Sequence, residues 1–512
     1  MNGLLPVRKG RPFPLFLLLL TGLCGWTPQE PIRVLLAGDS TVADKPVIDS
    51  PERGWGQSFR YFLDGGVELL NFARNGRSTK SFIDQRLWDT VLTRIRPGDY
   101  VMVQFGHNDQ KVADSSRYAG PHGAYKTNLQ RFVRDVRDRG GVPVLITPVN
   151  RRAFNADGAL LDTHGEYPGV VREVARGEGV PLIDLHASSK TLFEGLGPEG
   201  TKSLFLWTRA GEFGPGSEPR EDNTHFTQRG ALAVAGLVAV GIRQLGLPLA
   251  DHLRDVSEGT FPGQGKCVGL DCYFNAEWRE EKDGTRTPFH YTWNDTANSG
   301  YSLLGGVVDK LGAALATVPD APTPERLGLL DVYIIVDPDT PSETPEPHTI
   351  DSASIAVIAR WVENGGTLVL LGNDRGNAEF TCWNNLAGRF GIRFREDSHH
   401  RVVGKEYSTG MCSDLPDHPI FRGVRKIFLK EVSSLALMPP ATPLLMQDTL
   451  MLMATSRVGQ GMVFALGDPW IYNEYFDHRR LPADCDNDRA AEQFVRWLLS
   501  WKTEDAGGGV KR

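Results

Sequence analysis

The sequence predicts an α/β protein built as two successive units, each a parallel sheet flanked by helices. Three observations carry that expectation. Short β-branched runs alternate with segments whose apolar residues recur at helical spacing, the pattern of a parallel sheet rather than of hairpins. The chain has 512 residues, enough for two to four domains at roughly 100 to 200 residues each. A polar, Gly-rich stretch, residues 251–268, interrupts the alternation near the middle and reads as a linker.

Residues 1–26 read as an export leader. Arg8, Lys9 and Arg11 precede an apolar run, residues 13–23, that falls far short of the ~20 residues a membrane-spanning helix needs. Secretion or periplasmic export is the expectation. Cys24 matches a lipoprotein box only loosely, because Leu23 stands where a small residue belongs, so lipid anchoring there is the lesser alternative. Without the leader, Cys267, Cys272, Cys382, Cys412 and Cys485 remain, with no paired C-x-x-C spacing for zinc. Cys267 and Cys272 either close a small loop after export or stay as free buried thiols.

The first unit, residues 30–250, opens with a strand over residues 32–37 and continues with strands at 100–105, 142–147 and 180–185. Leu129, Phe132, Val133 and Val136 fall on one face of a helix between the second and third of these. A small-residue helix over 231–245 closes the unit, and Leu247-Pro248 stops it. The second unit, residues 269–503, has strands at 332–336, 367–371 and 462–466. Its helix over 350–364 ends at Gly365-Gly366, and the tail from Thr503 is frayed.

Lys plus Arg number 56 against 63 Asp plus Glu, a formal charge of −7 that offers no overall attraction to nucleic acid or anionic lipid. Any anionic substrate must be met by local cations. The chemistry concentrates in four stretches. Gly38-Asp39-Ser40 ends the first strand, where open α/β sheets bind ligands. Alone, a strand-ending serine is more often a helix cap. The reading changes with Asp222 and His225, three apart just before the last helix of the same unit. One turn can hold both a base for the serine proton and the carboxylate that orients it. Asn75-Gly76 and Asn108 then supply a backbone N–H and a side-chain amide for an oxyanion. Each has a dull explanation as a turn or a cap, but the four together in this order do not.

These stretches resemble the blocks of the SGNH (GDSL-like) hydrolases. GDSTVAD from Gly38, GWGQSF at 54–59, NGRSTKSF at 75–82, FGHNDQ at 105–110 and DNTHF at 222–226 are similar, more narrowly, to the rhamnogalacturonan acetylesterase group. The resemblance spans residues 32–246 and implies a three-layer α/β/α fold. It implies Ser40 as nucleophile, His225 as base and Asp222 as its partner. It also implies an oxyanion hole of the Ser40 and Gly76 amides with the Asn108 side chain, and no metal or organic cofactor. The implied substrate is an acetylated pectic polysaccharide, and the candidates to meet its uronates are Arg74, Arg77, Lys111 and Arg151, with Lys80 and Arg152. Other acyl specificities, acetyl-xylan or lipid, and a binding protein with an idle hydrolase unit are the alternatives. His107 is expected to orient the Asn108 loop, and His164 and His186 to be satisfied polar residues.

The second unit resembles the glutamine amidotransferase-like, flavodoxin-type domains attached to pectin-degrading enzymes, through stretches at 289–306, 332–340, 367–380 and 464–475. Where such enzymes place a nucleophilic cysteine, this chain reads Gly372-Asn373-Asp374, and Cys382 falls in the following helix, so a noncatalytic module is expected. Asp337, Asp339, Asn373, Asp374 and Asp468, with Trp293, Trp470 and Tyr472, form either a carbohydrate groove or helix caps with core aromatics; a calcium site is a third option.

Overall fold

The computed structural model describes residues 31–507 except 211, 213–216, 257–259, 405, 474, 477 and 480. The leader, Cys24 and the last residues of the tail lie outside the described residues. Strands of the first unit are β1 (Ile32–Gly38), β2 (Glu52–Arg53), β3 (Val67–Asn71), β4 (Tyr100–Gln104), β5 (Val142–Ile146), β6 (Leu182–Ile183), β7 (Phe205–Thr208) and β8 (Arg220–Thr227). Five of them form a wholly parallel sheet in the order β3-β1-β4-β5-β6. Both faces are covered. Val34 and Leu36 of β1 pack into a core with the helix Gln228–Gln244, while Leu35 and Ala37 pack on the other side against Leu129, Phe132, Val133 and Val136 of the helix Lys126–Arg137. Alternating residues of one strand thus feed two cores, which makes the three layers.

Two expected boundaries shift. The strand expected at 180–185 is only Leu182–Ile183, because Asp184 caps the next helix through its bond from the Ala187 N–H. The last helix starts at Gln228, where Thr227 accepts from the Gly230 N–H.

The second unit contains β9 (Cys267–Asp271), β10 (Trp278–Glu280), β11 (Arg286–Pro288), β12 (Ala314–Val318), β13 (Val332–Val336), β14 (Thr367–Leu371), β15 (Ile392–Phe394), β16 (Met411–Cys412), β17 (Ile427–Phe428), β18 (Leu435–Leu437), β19 (Ala441–Gln447), β20 (Leu450–Val458) and β21 (Gly461–Leu466). Its main sheet runs β12-β9-β13-β14-β21-β20-β19. The first five strands are parallel, in the flavodoxin-like order, with cores on both faces. The sheet is mixed rather than purely parallel: β20 and β19 add antiparallel to β21 through a hairpin that turns at Asp448, φ 54°.

Cys267 and Cys272 are free, so the loop-closing disulfide is overturned. Cys267 opens the extended β9 and Cys272 follows its last residue, roughly 16 Å away at about 3.3 Å per residue, far beyond the ~7 Å limit of a disulfide's Cα separation.

The two units meet along the edge of the second sheet. Ile48 forms an isolated parallel bridge with Leu315 of β12, and Asp49 accepts from the Thr317 N–H and hydroxyl. A loop of the first unit therefore covers an edge strand of the second. Beside it the buried Asp309 accepts from the Tyr61 hydroxyl and lies 3.6 Å from Arg53 Nε, and its carbonyl accepts from the Gln228 amide.

Candidate active site

β1 delivers Ser40 to the carboxyl end of the first sheet. Gly38 is needed there for close approach: a Cβ would stand 2.6 Å from Val42 Cγ2 and 2.8 Å from the Gln104 carbonyl. Asp39 turns inward and accepts from the Thr41 N–H at 2.9 Å and from its hydroxyl at 2.7 Å. The other carboxylate oxygen lies 3.2 Å from His107 Nδ1. Burial raises the Asp39 carboxyl, but His107 and Thr41 together outweigh it and hold it at about 2.

The opposite wall is a bulge in β8. Phe226 pairs with Phe205 and Glu221 with Trp207, so residues 222–225 crowd opposite Leu206 alone. Within the bulge Asp222 Oδ1 accepts from the N–H groups of Thr224, at 2.7 Å, and His225, at 3.0 Å. The expected turn carrying both side chains is this Asx turn, set inside an irregular strand. Asp222 Oδ2 lies 2.7 Å from His225 Nδ1, and His225 Nε2 lies 2.9 Å from Ser40 Oγ. Segments separated by 185 positions thus bring hydroxyl, imidazole and carboxylate into one line. Burial lowers the His225 imidazole, but the bond to Asp222 wins and raises it above its ordinary value; nearby Glu52 adds to this and Lys45 opposes it. Burial raises Asp222 in turn, but His225 and the two N–H donors hold it at about 2.

Gly76 adopts φ 71°, a left-handed conformation that favours glycine, in the turn after β3. Asn108 donates one side-chain N–H to the Arg77 carbonyl at 3.0 Å and has a second to offer. Its neighbours explain why the block is contiguous. His107 meets Asp39, while Asp109 accepts from Thr79 N–H at 2.9 Å and its hydroxyl at 2.6 Å, fixing the helix Thr79–Asp84. Three consecutive side chains thus tie this loop to two others, His107 to the segment after β1 and Asn108 and Asp109 to the turn at residues 76–79. Burial pushes the Asp109 carboxyl up to about 7 despite the two Thr79 bonds.

The candidate cations divide. Lys111 and Arg151 share one field with Arg117, which pairs with Asp114 at 3.0 Å: burial and these two arginines lower the Lys111 ammonium, and Asp114 and Asp39 oppose them. Arg151 also donates to Thr163 Oγ1 and the His107 carbonyl, each at 3.2 Å. Arg117 reaches to 3.8 Å from where a Gly76 Cβ would stand. Arg74 and Arg77 bond to the Ala73 and Asn75 carbonyls of the Gly76 turn. Lys80 instead pairs with Asp84 one helical turn on. Arg152 is an internal clamp: it bonds Asn223 of the bulge and the Pro198 carbonyl, with its guanidinium 4.5 Å over Trp207. It is buried and its guanidinium is taken up by internal partners, so its expected role in meeting a uronate is corrected. His164 bonds Gln110 and the Val149 carbonyl.

Three residues escaped the sequence reading. Lys45, its side chain 2% exposed, bonds both Glu52 and Asn75 Oδ1. It therefore ties the loop after Ser40 to β2 and to the Gly76 turn, and β2 pairs with Thr227 and Phe226 beside His225. Arg53 donates to the Pro46, Val47, Ser50 and Glu52 carbonyls, closing the loop between them. Arg117 lacked any motif neighbour. A lysine following GDSTVAD was the only available signal for Lys45.

In the second unit Trp293 and Tyr472 are core residues, 2% and 1% exposed, and Tyr472 stacks on Phe494. Asp337, Asp339, Asn373, Asp374 and Asp468 are likewise buried. The expected groove lined by these residues is overturned, since strand-end polar groups here bind one another and the backbone, as Asn373 binds Asp337 and Asp468 binds Lys430 N–H. Trp470 alone of the three aromatics is partly exposed. Cys382 lies in the helix Phe380–Ala387, where burial and Glu379 raise its thiol.

The model of the GDSL-like lipase/acylhydrolase family matches residues 36–233. Rhamnogalacturonan acetylesterase RhgT of Bacillus subtilis (strain 168) is 44% identical over 225 residues, 44% of this chain and 95% of its own length. A rhamnogalacturonan acetylesterase of Emericella nidulans is 27% identical over 240 residues, covering 43% of this chain and 88% of its own length. Among solved structures, protein YxiM from Bacillus subtilis is 27% identical with a TM-score of 0.38, the match covering 43% of this chain and 58% of that one. The chain belongs to the GDSL-like family of SGNH hydrolases and is an ester hydrolase.

Proposed function

We propose that the protein is an exported esterase that removes O-acetyl groups from rhamnogalacturonan through an acetyl-serine intermediate. The observation that carries this reading is the line Asp222, His225, Ser40, with contacts of 2.7 and 2.9 Å. His225 takes the Ser40 proton as Oγ attacks the acetyl carbonyl. Asp222 keeps the imidazole proton on Nδ1, so that Nε2 has its lone pair free. The amides of Ser40 and Gly76 and the free N–H of Asn108 receive the oxyanion. The sugar hydroxyl leaves with the proton from His225, and water then hydrolyses the acetyl-enzyme by the same base.

The substrate assignment is supported by the activity for which two relatives are named and by the cations Lys111, Arg117 and Arg151, which can pair with uronate carboxylates. Export rests on the leader composition of residues 1–26, and among the described residues no helix is long and apolar enough to cross a membrane. Residues 269–503 are read as a noncatalytic module. The test is acetate release from acetylated rhamnogalacturonan and from neutral acetyl-xylan across ionic strength. Ser40→Ala is expected to lose at least ~10⁴ in kcat, and the pectic substrate to be preferred and salt-sensitive. Equal, salt-insensitive rates on the two polymers would remove uronate pairing, and an active Ser40→Ala would remove the mechanism.

A further inference from the structure

The block at 54–59 supplies no reacting group, yet its side chains hold the segment that carries Ser40. Trp55 Nε1 donates to Gln104 at 2.8 Å, and Gln104 donates in turn to the Thr41 hydroxyl at 2.8 Å. Gln57, in the helix Trp55–Phe59, bonds the backbone of Lys45 in both directions. Its oxygen accepts from the Lys45 N–H at 3.0 Å, and its amide donates to the Lys45 carbonyl at 2.9 Å. The lysine so fixed buries its side chain and sets its ammonium between Glu52 Oε1 and Asn75 Oδ1. Burying an ammonium is costly unless it is paired and hydrogen-bonded, and even a well-made buried pair contributes little net stability. What such a pair supplies is register. Here it joins three segments: the one after Ser40, β2, and the turn at Gly76.

The peptide between Asn75 and Gly76 carries the Asn75 carbonyl and the Gly76 N–H in one plane. Arg77 Nη1 donates to that carbonyl at 2.9 Å, and Lys45 holds the Asn75 side chain. We propose that Lys45 is a positioning residue of the esterase: seated by Gln57 and Glu52, it anchors Asn75 and so aims the Gly76 N–H at the oxyanion. Its ammonium bonds go to Glu52 and Asn75 rather than to Ser40 or His225. The pair also acts through space. The titratable groups that face His225 are Asp222, Glu52, Lys45 and His107. Burial lowers the imidazole, Asp222 and Glu52 raise it, and Lys45 lowers it. Removing either member of the pair therefore moves the base in a direction set by the charge removed. This inference rests on the acyl-transfer reading of the site, and the experiment separates the two.

Steady-state hydrolysis of p-nitrophenyl acetate from pH 4 to 9 compares the full chain with Lys45→Met, Asn75→Ala, both together, and Glu52→Gln, with Ser40→Ala alongside. Loss of an oxyanion donor costs about 10² to 10³ in rate, and a misdirected donor keeps part of that. Lys45→Met and Asn75→Ala should therefore each lose about tenfold or more in kcat, with KM changed by less than about twofold. The double variant should lose no more than the worse single, since one residue acts through the other. The acid limb of kcat/KM should move to higher pH in Lys45→Met and to lower pH in Glu52→Gln, opposite shifts that a merely structural role does not produce. Asn75 is exposed, so Asn75→Ala reads the contact even where Lys45→Met fails to fold. An unchanged kcat in Asn75→Ala, losses that multiply in the double variant, or limbs that stay put or shift in the same sense would each overturn the proposal. Activity in Ser40→Ala would sink the acyl-transfer reading itself. An inactive Ser40→Ala beside fully active Lys45→Met and Asn75→Ala would remove the positioning role alone.

Discussion

Asp222→Asn is the most exacting perturbation of the triad, because it changes one proton and little else. Asp222 Oδ1 holds the bulge through the Thr224 and His225 N–H groups, and an asparagine oxygen can keep both bonds. Its NH₂ then faces His225 Nδ1 across the 2.7 Å contact that the carboxylate formerly accepted. Nδ1 must become the acceptor, so the ring proton moves to Nε2 and points at Ser40 Oγ. The base has lost the lone pair it needs. The same change in a serine-protease triad costs about 10⁴ in kcat, equal to about 5.5 kcal/mol of barrier at ~1.4 kcal/mol per decade. A second, signed effect accompanies it. Wild-type activity needs neutral His225, so it is lost as pH falls through an imidazole pKa that Asp222 holds above the ordinary value. Without the anion, burial acts unopposed by its main counterweight, and the residual activity should persist to lower pH. Steady-state rates on p-nitrophenyl acetate from pH 4 to 9, with melting temperatures alongside, check both effects. A kcat within tenfold of wild type, or an acid limb that stays in place, would refute the tautomer argument. A fall in melting temperature as large as that of Asp222→Ala, which loses all three bonds, would show the bulge had collapsed instead.

Asn108→Ala removes an oxyanion donor and should lower kcat by about 10² to 10³ with little change in KM; an unchanged kcat in steady-state assays takes Asn108 out of the site. Asp309→Ala deprives the buried Arg53 and the Tyr61 hydroxyl of their shared partner and should cost about 3 kcal/mol in urea unfolding; a loss below ~0.5 kcal/mol means that the contact contributes nothing. Asp109 is held protonated up to about pH 7 by burial, so between its unfolded pKa near 4 and pH 7 the native chain binds a proton that the unfolded chain has released. Its contribution to stability therefore falls as pH rises through that window. Asp109→Asn keeps the two Thr79 bonds at Oδ1 and lacks the titration, so its melting temperature should gain on wild type from pH 5 to pH 8; a constant difference would contradict the shifted carboxyl.

What was legible in the sequence is what local chemistry dictates. Gly38 and Gly76 mark places where the backbone allows little else, and serine, histidine and aspartate at those positions have few other uses in combination. Strand periodicity gave the inner strands β1, β4 and β5 of one sheet and β13, β14 and β21 of the other, because a strand buried on two faces has a composition that loops do not share, whereas β3, β9 and β12 were not read. What failed depended on partners remote in sequence. Lys45 reads as an ordinary surface lysine until Glu52 and Asn75 fold around it. Arg152 looks identical to Arg151, yet one clamps the bulge and the other faces the cation cluster. Trp293 and Tyr472 sit among strand-end polar residues, but residue type does not state on which side of a sheet a ring will lie, and here it is the core. The β19–β20 hairpin was missed because Asp448-Thr449 lacks the Asn-Gly or Asp-Gly signature that announces a two-residue turn.

One loop connects the esterase geometry to the second unit, and its construction gives that contact a consequence. Residues 46–50 lie along the edge of β12 and are held in shape by four carbonyl bonds to Arg53, whose Nε faces Asp309 of the other unit. The loop begins at Lys45, which grips the Gly76 turn, and ends in β2, which pairs with β8 directly beside His225. Docking the units therefore fixes both ends of a segment whose two neighbours carry the proposed oxyanion donor and the proposed base. A buried, hydrogen-bonded contact of this kind transmits position rather than charge. Loosening it should misplace the bulge and the turn together, and so act on kcat before it acts on binding.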